Sequence, residues 1–158
     1  AAELDRIGYH SCLAVLAELD RPSAIPPPGA RQLDEGPFSF VADNQAKGIS
    51  GAPAITLHAG HQLSAERFDD DPATVLADLL ELGREWLGDA SVVRAELERW
   101  RRSGPREVWP EPCCVAVPGP HPVVLAGDAY AGPKVEGAYL SGVAAAEAVS
   151  GRLAPPGA

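Results

Sequence analysis

The sequence has 158 residues, 46% hydrophobic and 22% charged, enough for a globular chain with a real apolar core. A net charge of -9 speaks against nucleic acid as a partner, because binding phosphates rests on clustered Lys and Arg. No apolar run approaches the roughly 18 to 20 residues that span a bilayer, so no membrane partner is expected.

Ala1 to Arg6 carries no charged-then-apolar leader. The chain opens without Met and runs almost at once into Tyr9-His10-Ser11-Cys12, so a preceding N-terminal part is expected. Cys12 to Leu19 is apolar and predicts a strand ending at Asp20-Arg21-Pro22. Pro26-Pro27-Pro28-Gly29 lacks three backbone donors and predicts a turn or surface loop. Phe38 to Ala42 alternates large and small residues and stops at the turn formers Asp43-Asn44, which predicts a second strand. Ala54 to Ala59, bounded by Pro53 and Gly60, predicts a third.

From Asp71 the period changes. Asp71 suits a helix cap and Pro72 the first helical position, and Val75, Leu76, Leu79, Leu80, Leu82, Trp86 and Leu87 recur at helical spacing until Gly88. The Asp69-Asp70-Asp71 run reads as the helix-entry cluster. Ser91 to Arg102 fits a helix or a strand on local pattern alone, and the prolines from Pro105 to Pro122 predict a long connection. Pro122 to Ala126 reads as a short buried strand ending at Gly127-Asp128, Val135 to Ser150 as a helix ending at Gly151, and Ala154 to Ala158 as a tail.

Three cysteines are an odd count, and Cys113 and Cys114 are adjacent, where a mutual disulfide is strained and the Cys-x-x-Cys metal spacing is missing. They read as small buried hydrophobes in a reducing cytoplasm, the expected location. His58 and His61 do not share a helical face and no third ligand is evident, so no metal site is expected. Ser141 is not in a G-x-S-x-G nucleophile turn and reads as a packing or capping residue. Trp100 reads first as a large core residue.

The unit that carries chemistry is Val123-Val124-Leu125-Ala126-Gly127-Asp128, a Gly/Pro loop, and the helix opening Val135-Glu136-Gly137-Ala138. A strand that delivers an Asp to a sheet edge lets the carboxylate accept from ribose or ribityl hydroxyls. The glycine lets backbone approach a ligand, and the helix N-terminus offers N–H donors to a phosphate or an electron-rich carbonyl.

Ala126-Gly127-Asp128 followed by Val135-Glu136-Gly137-Ala138-Tyr139-Leu140-Ser141-Gly142 resembles the C-terminal FAD-binding segment of the flavin amine-oxidase superfamily, closest to its renalase-like branch. Upstream, Tyr9-His10-Ser11-Cys12 is similar to the strand leading into that family's substrate domain, and Ala42-Asp43-Asn44-Gln45-Ala46-Lys47 to its A-D-N-x-x-K stretch. Glu98-Arg99-Trp100-Arg101-Arg102-Ser103-Gly104-Pro105 resembles the family's H-R-W-x-Y-A-x-P strand, with Glu98 in place of His and Arg102 in place of Tyr, which assigns the ambiguous segment to a strand.

The resemblance implies an α+β fold: a mixed or antiparallel substrate-domain sheet with a flanking helix over 1–112, and over 113–158 a strand and helix belonging to an incomplete FAD-binding Rossmann-like domain. It implies Gly127, Asp128, Val135, Glu136, Gly137 and Ala138 as cofactor-binding residues, and Asn44, Lys47 and Trp100 as substrate-cavity residues. Such an enzyme also needs a strand, G-x-G-x-x-G and a helix for the pyrophosphate, a run this sequence does not contain, so the missing N-terminal FAD-binding half is expected as a partner. The expected activity is hydride transfer from a small amine or dihydronicotinamide-type substrate to FAD, with oxygen as acceptor and no side chain required as acid or base. The chain alone is expected to be inactive. Two alternatives remain: a non-catalytic binding or partner module derived from that fold, and a nucleotide-sugar or carbohydrate enzyme of the same architecture.

Overall fold

The computed structural model describes residues 7–119 and 121–153. The first six residues and the Ala154–Ala158 tail lie outside them. The chain is α+β and forms two compact units: a sheet unit, Ser11–Arg101, and a composite unit that joins Ala1–His10 to Arg102–Ala158. Residues 102–112, grouped above with the substrate-type domain, belong to the composite unit.

The sheet unit is built on a five-stranded antiparallel sheet of β1 (Tyr9–Leu19), β2 (Ala30–Gln32), β3 (Phe38–Asp43), β4 (Ala54–Ala59) and β5 (Val92–Pro105), in the order β2-β3-β4-β1-β5. The ends of β1 and β5, residues 9–10 and 102–105, belong to the composite unit. Central β1 reads as a nearly continuous apolar run because it is buried on both faces from Cys12 to Val15. One cross-strand row, Val41, Leu57 and Val15, is fully buried. Together with Leu13, Ile55 and Phe38 it meets Val75, Leu79 and Leu87 from the helices. Each such side chain contributes about 1.5–3 kcal/mol by leaving water. Edge strand β5 carries Arg94, Glu96, Glu98, Arg99, Arg101 and Arg102, a charge density that discourages pairing with another sheet.

Three helices follow β4 or precede β5: α1 (His61–Arg67), α2 (Pro72–Leu82) and α3 (Arg84–Leu87). Asp71 caps α2 as its type predicts, its carboxylate accepting from the Thr74 N–H and Oγ1–H at 2.9 Å each. The single helix expected from Asp71 to Gly88 is two. Gly83, with ψ at 6°, ends α2, and a Cβ there would lie 2.7 Å from Leu57 Cδ1, so this residue lets the helix pair close onto β4. Buried Ser64 on α1 ties that helix to the sheet by accepting from the Leu13 N–H (3.1 Å) and donating to the Ala59 carbonyl (3.2 Å). The acidic cluster is engaged: Asp69 pairs with Arg101 at 3.2 Å and Asp70 with Arg67, while Arg99 donates to the carbonyls of Phe68 and Asp70.

The composite unit holds a two-stranded antiparallel sheet, β6 (Cys114–Val117) and β7 (Val123–Leu125), with α4 (Val135–Leu153) against β7. β7 was expected to be buried; Val123 is half-exposed and its two neighbours only partly covered, because a single hairpin partner shields little. Cys113 and Cys114 are likewise only half-buried, while Cys12 is buried and its thiol is pushed up to about 11 by that burial. Among the described residues no helix is long and apolar enough to cross a membrane.

Candidate functional site

The nine residues singled out above fall into two groups, each inside one unit. Asn44, Lys47 and Trp100 lie in the sheet unit. Gly127, Asp128, Val135, Glu136, Gly137 and Ala138 lie in the composite unit.

In the sheet unit, strict alternation would place Phe38 and Phe40 on one face. A register shift between them instead sends Phe38 into the core opposite Ala59 and leaves Phe40 opposite His58 on the other face. His58 pairs across to Ala14 on β1, and this small, fully buried residue lets rings from β4 and β5 meet over the intervening strand. His58 accordingly lies 5.4 Å from the Phe40 ring in a tilted pair and 5.4 Å from the Trp100 ring edge-on. Trp100 is 42% exposed, so the core role expected for it is corrected: its ring lies on the open face of the sheet against His58.

Asn44 and Lys47 come from the turn after β3. Asn44 donates to Thr56 Oγ1 at 3.0 Å, and exposed Lys47 holds its ammonium 5.8 Å above the Phe40 ring. Buried Asp43 shapes this turn: Oδ1 accepts from the N–H groups of Gln45 (2.9 Å) and Ala46 (2.8 Å), and Oδ2 accepts from Ser23 at 2.7 Å. The three cavity candidates thus share one sheet face with two residues the sequence reading missed, Phe40 and His58. Only the bulge, invisible as a motif, puts Phe40 there.

Burial first, and the nearby Lys47 charge second, hold the His58 imidazole below its ordinary value of 6.5. The folded chain therefore binds its proton less readily than the unfolded one, and stability falls as pH drops below about 6.5 toward the lowered value. His58→Gln is expected to remove this part of the acid sensitivity, which urea unfolding of both proteins between pH 5 and 7.5 measures; an unchanged pH slope would show that His58 is not its source.

In the composite unit the Gly127-Asp128 turn is fixed from three sides. Gly127 adopts φ 143° and donates its N–H to Ser141 Oγ at 2.9 Å, so fully buried Ser141 tethers the turn to α4, as its sequence context suggested. The turn's next residues pair with Trp109, whose N–H donates to the Ala129 carbonyl (2.8 Å) and whose carbonyl accepts from Ala131 N–H (2.9 Å). Asp128 Oδ1 accepts from the Tyr9 hydroxyl at 2.8 Å. Burial first, and this carboxylate second, hold the Tyr9 phenol above its ordinary value, so it stays a donor.

The first turn of α4 presents two contrasting faces. Val135 is 90% exposed and Glu136 is exposed, whereas Gly137 is buried against Gly132, whose carbonyl carbon would lie 2.8 Å from a Cβ at residue 137. Gly137 therefore owes its lack of side chain to that packing, and half-buried Ala138 donates its N–H to the Lys134 carbonyl at 3.0 Å. Among the described residues no group of three or more His, Cys, Asp or Glu is placed to hold a metal.

No protein-family model matches the chain, and no curated protein compared with it matches.

Proposed function

We propose that the chain is the C-terminal portion of an FAD-dependent oxidoreductase of the renalase-like, amine-oxidase type, with residues 127–138 as its share of the flavin site and the open face of the sheet unit as its share of the substrate cavity. The observation that carries this reading is the Gly127-Asp128 turn, rigidly clamped in the stretch between β7 and the N-terminus of a 19-residue helix. The residues present fit a flavin: the Asp128 carboxylate suits ribityl hydroxyls, and the first turn of any helix carries N–H groups without intrahelical partners, which suits an electron-rich carbonyl. On this reading the turn and α4 form part of a Rossmann-like FAD domain whose G-x-G-x-x-G portion comes from another segment or chain.

When bound, FAD supplies hydride acceptance and electron transfer to oxygen. The chain's own residues position and exclude water. Asp128 would hold the ribityl chain, the α4 terminus would polarise the ring, and Phe40, His58 and Trp100 would offer an aromatic floor to a small amine or dihydronicotinamide-type substrate, with Asn44 and Lys47 as donors at its rim. No side chain is required as acid or base, and the three free cysteines accord with the cytoplasm as the proposed location.

The test is an FAD titration of the isotope-labelled chain. Amide shifts confined to Gly127–Ala138 and Tyr9, reduced about tenfold in apparent affinity by Asp128→Asn, are the expected result. Shifts that lie away from residues 127–138, or that are indifferent to Asp128→Asn, would sink the flavin reading and leave the non-catalytic partner module in its place.

A further inference from the structure

In the sheet unit, β5 ends the sheet, so one of its hydrogen-bonding edges meets β1 and the other is free. Two hollows lie between this strand and α2. One of about 450 Å³ is lined by Ala73 and Leu76 on the helix and by Ala95, Leu97 and Glu98 on the strand. The other, of about 300 Å³, is lined by Ala77 and Leu80 on the helix and by Ser91 and Val92 where the strand begins. No residue of β1 lines either hollow, so both open on the free side of β5. We propose that this groove takes an extended peptide segment of a partner protein, added to β5 as a sixth strand, in which apolar residues alternate with Lys or Arg. The inference goes beyond the flavin reading and does not depend on it.

Backbone, shape and charge point the same way. Alternate residues of β5 turn their N–H and C=O groups to the free edge, where the main chain of an added strand can bond to them. Val92, Ala95 and Leu97 face the core with Leu76 and Leu80, which are only half-buried, and the small side chains of exposed Ala73 and Ala77 leave room above them. Every second side chain of an added strand lies on that face, so apolar ones enter the hollows. The other face of β5 carries Arg94, Glu96 and Glu98. Arg94 bonds to Glu96, whereas Glu98 has no partner among the described residues. Side chains of the added strand on this face stand beside the two carboxylates, where a cation is stabilised and an anion repelled. The net charge of -9 draws a basic segment from a distance. Arg99, tied to the carbonyls of Phe68 and Asp70, bounds the groove, so the stretch from Val92 to Glu98 accommodates about seven residues.

The test titrates the full, isotope-labelled chain with two capped heptapeptides, one alternating valine with lysine and one alternating valine with glutamate. At low salt the lysine peptide is expected to bind about tenfold more tightly, with the difference narrowing as salt rises. It should shift amides of α2 and β5 and slow hydrogen exchange at alternate amides between Val92 and Glu98. In a strand the amides of the valines and of the lysines point to opposite edges, so N-methylating one set should weaken binding about tenfold and the other set should leave it within about twofold. Glu98→Lys, at an exposed position, is expected to erase most of the preference for the lysine peptide. Ala73→Leu fills the larger hollow from the helix surface and should weaken that peptide about tenfold with no loss in urea unfolding. Equal affinity for the two peptides, tolerance of N-methylation on both sets, a preference that survives Glu98→Lys, shifts confined to residues outside α2 and β5, or no binding of either peptide at millimolar concentration overturns the proposal.

Discussion

Gly137→Ala is expected to destabilise the chain by about 2 kcal/mol, although alanine is the better helix former. Helix propensity alone favours alanine over glycine by about 1 kcal/mol in a helix interior. Against this, a Cβ at residue 137 would overlap the Gly132 carbonyl, lying 2.8 Å from its carbon and 3.0 Å from its Cα. Backbone cannot rotate out of the way as a side-chain end can, and forced overpacking of this kind costs about 1–3 kcal/mol or more. The loop from Gly132 would have to lift from α4, and with it the segment that runs back to Asp128.

Native-state hydrogen exchange reads this locally. The amides of Gly127, Tyr130 and Ala131, bonded to Ser141 Oγ, the Gly127 carbonyl and the Trp109 carbonyl, should exchange roughly thirtyfold faster for a 2 kcal/mol loss. Gly142→Ala is the internal control. It lies in the same helix with nothing within 4 Å of the added carbon, so only propensity acts and exchange should slow by up to about 1 kcal/mol. If both variants gained stability, the close approach of Gly132 to Gly137 would not exist in solution.

Those two glycines mark the limit of what the sequence discloses. Gly137 and Gly142 look alike in an alanine-rich helix, and only the placement of Gly132 separates a close contact from open space. The same limit recurs at Gly83: the leucine period runs straight through it, and the reason for a break there, the Leu57 side chain, is contributed by β4. β3 was legible because alternation and flanking turn residues set it apart, β1 and β4 because short apolar runs end at turn or breaker residues, and α2 because Asp71 and Pro72 supply cap chemistry ahead of a strong period. β2 and β6 span three and four residues, too few for a period, and α1 has neither a side-chain cap bond nor more than one large apolar residue, Leu63.

The candidate site divides in the same way. Gly127, Asp128 and the helix after them were readable because strand, turn and helix start are consecutive. Tyr9 carries no local mark of its place at the turn, since it meets Asp128 across 119 residues of chain. His58 could be read as a strand residue but not as the centre of an aromatic row, because that depends on Ala14 being small on a neighbouring strand. Short-range patterns thus disclosed the scaffold, and long-range register decided which side chains share a face.

Asp43→Ala is the second large effect expected, a loss of about 3 kcal/mol in the sheet unit together with loosening of the turn that carries Asn44 and Lys47. The substitution deletes three hydrogen bonds to one buried carboxylate, and bonds to charged groups contribute about 1.5–3 kcal/mol apiece before the relaxed groups regain water. Ser23 and the two amides lie near the surface, so hydration recovers part of the loss and the total stays below the sum. Asp43→Asn keeps the Oδ1 acceptor for both amides and turns its amide nitrogen toward a serine hydroxyl that also accepts, so it should cost about 1 kcal/mol. Urea unfolding with half-buried Trp86 as reporter measures both. A second readout ties the turn to the aromatic row. Lys47 is one of the two causes holding His58 low, so a released Lys47 should let the His58 pKa move up toward its ordinary value in Asp43→Ala while burial keeps it from arriving there. A stability loss with no movement of His58 would mean that Lys47 keeps its place without Asp43, and that the rim of the proposed substrate face is held by Asn44 and Thr56 instead.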